Sequence, residues 1–84
     1  MEGEYMRKGT EALTQVKNFK TIGNHSVMVF DDRREFYYHG NNVYTHYFDD
    51  NRPDEYCYCD WYTRSTQRTI NDYTRYYHKD VIEV

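Results

Sequence analysis

The spacing of apolar and polar positions changes twice along this chain. After a polar opening stretch, Leu13, Val16 and Phe19 recur at a spacing near three, which predicts a short helix beginning at Thr10, whose hydroxyl can serve as N-cap. Gly23-Asn24 breaks that pattern. The stretch 26–30 (Ser-Val-Met-Val-Phe) is short, apolar and β-branched, as expected of a buried strand. Asp31-Asp32-Arg33 has turn chemistry, and 34–38 predicts a second strand. Gly40-Asn41-Asn42 predicts a turn because Gly and Asn tolerate positive φ, and 43–48 predicts a third strand. A polar loop over 49–54 holds Pro53. Alternation over 55–62 predicts a fourth strand, with Cys57, Cys59 and Trp61 on one side and Tyr56, Tyr58, Asp60 and Tyr62 on the other.

The last stretch has a helical period. Over 66–78, with Ser65 or Thr63 as cap, Ile70, Tyr73 and Tyr77 share one sector with Thr66 beside them. Arg64, Arg68, Arg75 and Lys79 project nearly opposite, as a basic face. The expected architecture is α+β: a small antiparallel sheet of about four strands, a packed C-terminal helix on the Cys57–Trp61 side, and a short N-terminal helix. Residues 10–84 are expected to form the single domain, after a flexible stretch over 1–9.

Length limits what such a domain can do. With 84 residues, only about 60–65% of the unfolded chain's surface becomes buried, and a deep catalytic pocket would be taken from a thin core. Leu and Ile are scarce, whereas there are eleven Tyr, four Phe and one Trp. Tyr can replace aliphatic residues on strands, or line a contact surface with its ring packed and its hydroxyl wet. Helices covering one side of a small sheet leave the other open. That open side is expected to show Tyr56, Tyr58 and Tyr62, with Tyr44 from the neighbouring strand, as a partner-binding patch, unless the first helix or a second copy of the chain covers it.

Charge adds two further surfaces. The net charge of −3 is mild, but it is segregated: Asp49, Asp50, Asp54, Glu55 and Asp60 face only Arg52, and the basic helical set faces only Asp72. The acidic loop would extend the Tyr patch toward a protein partner. The basic face would suit phosphate, an acidic partner or nucleic acid, although the overall acidic balance opposes nucleic acid. Its plainer reading is a solvated face neutralised by neighbouring acids.

Catalytic and metal chemistry finds little support. Cys57 and Cys59 could form half a zinc site, but His25, His39, His46 and His78 provide no second pair at ligand spacing, and two thiols buried under a helix explain the pattern. Burial on a strand would raise a thiol pKa, against Cys–His catalysis. Asp60 with Glu35 could pair as carboxylates, but nothing selects them over other acids. No Gly-rich phosphate loop, nucleophile elbow or His-Glu-x-x-His occurs. The expectation is a binding protein without cofactor or metal. The acidic start lacks a signal-peptide core and no apolar run spans a bilayer, so a cytoplasmic site is expected.

The segment Trp61-Tyr62-Thr63-Arg64-Ser65-Thr66-Gln67-Arg68-Thr69-Ile70-Asn71-Asp72-Tyr73 resembles a group of small tailed-phage proteins with a Trp-Tyr-Ser-x-Thr-Thr-x-x-His-Ile-Asn-x-Phe pattern where the last strand enters a C-terminal helix. Trp61, Tyr62, Thr66, Ile70 and Asn71 match it outright, and Asn18-Phe19-Lys20-Thr21-Ile22-Gly23 upstream is also similar to that group. Thr69 stands where the pattern has His, so any role of that His is absent here. The resemblance implies the α+β fold and a phage origin. With that origin it implies a protein that binds and disables a host protein in the host cytoplasm, a defence system such as a CRISPR nuclease being one target of that kind.

Overall fold

The computed structural model describes residues 7–57 and 63–84. Among them, α1 (Lys8–Leu13) precedes β1 (Phe19–Ile22), β2 (His25–Val29), β3 (Arg33–Tyr38), β4 (Asn41–Tyr47) and β5 (Asp54–Tyr56), and α2 (Arg64–Tyr77) and β6 (Val81–Glu83) follow. The strands form one sheet in chain order, antiparallel from β1 to β5 and parallel between β5 and β6. The class is the expected α+β, with six strands described where about four were expected.

The additional strands have local causes. α1 ends at Leu13, where the Thr14 hydroxyl turns back to Glu11 O at 2.6 Å, so Phe19 lies outside the helix and pairs with Met28. Gly23, at φ +60°, and Asn24 close a two-residue loop between Ile22 and His25 with the positive φ at its first position, the type II′ geometry. A parallel partner for β5 demands a crossover, and α2 supplies it on the way to β6. The β3–β4 turn is His39-Gly40, with φ of 53° and 82°, a type I′ turn; Asn41 already belongs to β4.

Both helices lie on one sheet face. Val27, Phe36 and Tyr44 stand in register across β2, β3 and β4, and Leu13 of α1 with Ile70 and Tyr73 of α2 joins them in the core. Phe36 and Tyr73 stack at 4.0 Å between centroids, worth about 1 kcal/mol beyond the area buried.

Strand β4 departs from alternation. Phe36 pairs with Tyr44 but Tyr37 pairs with Asn42, so Val43 is the extra residue of a β-bulge. Val43 and Tyr44 consequently both enter the core, at 2% and 0% exposure. Asn42 Nδ2 donates to Phe36 O at 3.0 Å and Tyr44 O at 3.2 Å, which serves backbone oxygens beside the irregularity.

This corrects the expected open Tyr face. Tyr44 and Tyr56 are cross-strand partners, as their grouping required, but they share the helix-covered side: Tyr44 is fully buried and Tyr56 packs against the core. Tyr58, Cys59, Asp60, Trp61 and Tyr62 lie outside the described residues, as do residues 1–6. No helix among the described residues is long and apolar enough to cross a membrane.

Candidate functional site

The best-formed candidate is on α2. The helix starts where Thr63, in extended conformation, accepts a bond from Thr66 N at 3.2 Å, and it ends at His78 in the left-handed region. Thr66, Thr69, Ile70, Asp72 and Tyr73 are buried, leaving Arg64, Arg68 and Arg75 exposed along the outer side. These three arginines line a concavity of about 500 Å³ together with Arg7, at the head of α1.

Arg7 is the residue that sequence reasoning missed. The stretch over 1–9 was expected to be flexible and Thr10 to cap the helix, but Arg7 is the N-cap residue and Thr10 is buried in α1. Arg7 Nε donates to Asp72 Oδ2 at 2.8 Å, Arg7 Nη2 to Thr69 Oγ1 at 3.1 Å, and Thr10 Oγ1 to Asp72 Oδ2 at 3.0 Å. No local signal marks this contact: at about 100° per residue Asp72 falls on the polar flank of α2, away from Ile70 and Tyr73, and it is buried where Arg7 and Thr10 of the α1 region meet it.

Arg64, Arg68 and Arg75 differ from Arg7. None makes an ion pair or a hydrogen bond with another described residue. Between them, Asn71 Oδ1 accepts from Gln67 Nε2 at 2.9 Å, which leaves the Asn71 amide N–H groups to the groove. Lys79 does not belong with the three. It follows the left-handed His78, so it departs from the helical sector, and its Nζ donates to Tyr47 O at 2.8 Å and Asp49 O at 3.1 Å.

The acidic residues do not form one surface either. Asp49 and Asp50 are exposed, and Asp50 borders a second concavity beside His78, Lys79 and Asp80. Glu55 is half-buried and accepts from Tyr47 OH at 3.1 Å. Asp54, expected in the surface loop, opens β5 and is fully buried. Its Oδ2 accepts from Tyr44 OH at 2.8 Å, its Oδ1 from Tyr47 N at 3.2 Å, and His46 Nδ1 lies 3.1 Å from both oxygens. Burial would raise the Asp54 pKa, but the bonds from His46 and Tyr44 outweigh it and hold the carboxyl below its usual value. Burial first, and then the bond to Asp54, push the Tyr44 phenol far up. His46 stacks on Tyr77 at 3.6 Å, so the group is locked inside the fold.

The sheet face away from the helices carries Tyr37 and Tyr47 rather than Tyr44 and Tyr56. Tyr37 OH and Arg33 Nε both bond Glu35, and Arg52 lies over the Tyr47 ring at 3.6 Å. At its edge, the cross-strand pair Phe19 and Met28 is exposed.

Among the described residues no cluster of three or more His, Cys, Asp and Glu side chains is placed to hold a metal ion. No protein-family model matches the chain, and neither a curated protein nor a solved structure is significantly similar to it.

Proposed function

We propose that this protein works by binding rather than by catalysis, and that the arginine groove of α2 is its working surface, holding an anionic partner. One observation carries the reading: Arg64, Arg68 and Arg75 stand exposed in a single concavity with no counter-ion among the described residues. By contrast Arg7, which lines the same concavity, is paired with Asp72, and Arg33 with Asp32 and Glu35. Guanidinium forks bind carboxylate or phosphate oxygens two at a time, so an oxyanion-bearing partner fits their chemistry. The likeness of the 61–73 segment to small tailed-phage proteins supports a partner in the host cytoplasm, and an inhibitory role there, a defence nuclease being one candidate.

The test is fluorescence anisotropy at low salt with two labelled probes, an acidic peptide and a short DNA duplex. At least one is expected to bind, with affinity falling as salt rises. The triple variant Arg64→Ala, Arg68→Ala, Arg75→Ala should lose at least about tenfold, or roughly 1.4 kcal/mol. If neither probe binds at low salt, the proposal fails.

A further inference from the structure

We infer that the groove's partner is a protein, and that an extended acidic segment of that protein lies along α2. The inference rests on the anion-binding reading above and narrows it. Helical rise places Arg68 about 6 Å beyond Arg64, and Arg75 about 10.5 Å beyond Arg68. An extended chain advances about 3.3 Å per residue, so the first step is met by acids two positions apart and the second by three or four positions more. Asn71 sits between Arg68 and Arg75 with its amide N–H groups available, matching a peptide carbonyl between two acidic side chains.

Nucleic acid fits less well, for separate reasons. Among the described residues three cations without a counter-ion line the groove, whereas tight backbone binding uses about 6–10 phosphate contacts. None of the described residues lining it is aromatic, so they offer unpaired bases no ring on which to stack. A helix entering the major groove, about 12 Å wide, must stand proud of its surroundings, but this stripe lies in a concavity shared with Arg7 of α1. The net charge of −3, with Asp31, Asp32, Asp49, Asp50 and Asp80 exposed, repels a long polyanion more than a short acidic segment.

The experiment compares three probes at matched low salt: a labelled peptide Glu-Ser-Glu-Ser-Ser-Ser-Glu with blocked, Gly-flanked ends, a short DNA duplex and a single-stranded oligonucleotide. The peptide is expected to bind at least about tenfold tighter than either oligonucleotide, and its Gln-for-Glu counterpart to lose that affinity. Asn71→Ala, which keeps every arginine, should weaken the peptide about threefold and leave the oligonucleotides unchanged. Oligonucleotide binding as tight as the peptide's, and dependent on Arg64, Arg68 and Arg75, overturns this inference but leaves the anion-binding reading standing. Peptide affinity unchanged in Asn71→Ala overturns the extended-segment placement. Silence from all three probes sinks both readings.

Discussion

At the scale of single residues, Asp54 is the most consequential side chain that its neighbours in sequence conceal. Within 49–55 it is one acid among several, and nothing in the spacing separates it from Asp49 or Asp50. It differs because it opens β5 beside β4, where Tyr44 OH, His46 Nδ1 and Tyr47 N converge on one carboxylate. That convergence is long-range geometry, and no local pattern encodes it. It makes stability depend on pH. The Asp54 pKa is depressed in the fold, so its contribution is complete above the unfolded value of about 3.9 and is lost as pH falls through the folded value. Asp54→Asn should therefore lower stability by about 2 kcal/mol near neutral pH, from the loss of bonds to a charged acceptor. Urea titrations of both proteins should show the difference shrinking once the pH drops below about 4. A difference that holds constant through the acid range would show that the carboxylate's charge is not what the site uses.

At the scale of elements, α2 was readable and the sheet edges were not. The helix combines a strong apolar stripe with a Ser/Thr cap choice that included Thr63, and both features are local. β1 and β6 are short, with mostly exposed side chains, so no burial pattern marks them. β4 is readable and Tyr44 groups with Tyr56 as its cross-strand partner, but both are expected on the wrong side because the sequence pattern assigns the helix to the Cys57 side of β5, and nothing local says which side it covers. The groove was half readable. The α2 arginines follow from periodicity, whereas Arg7 arrives from α1 through a contact with a residue 65 positions away. That contact is the main polar tie between the two helices. Arg7→Ala and Asp72→Asn should each destabilise by about 1–3 kcal/mol, because each leaves a partly buried group short of a partner. The double variant should recover more than about 1 kcal/mol of the summed loss, as expected for directly coupled groups. Additive losses would mean that the pair does not join α1 to α2 energetically.

At the scale of the whole molecule, the three arginines without a counter-ion among the described residues set stability against binding. Like charges four apart on a helix repel, and Arg64 also places a cation in the positive first turn, where α2 has no acidic residue. Arg75, in the last turn, has the favourable placement. The fold therefore predicts a sign pattern. Arg64→Glu should stabilise by about 0.5 kcal/mol, from relief of repulsion and a better match to the helix dipole. Arg75→Glu should destabilise by a similar amount, about 0.5 kcal/mol, because it puts an anion at the negative end. Both should weaken binding of an anionic partner, since both reverse charge in the same groove. Thermal melts at low salt, repeated at high salt where surface terms are screened, separate these effects. A stabilised Arg64→Glu protein that has lost its partner identifies a residue whose place in the sequence owes nothing to folding. A destabilised one would return Arg64 to an ordinary structural role.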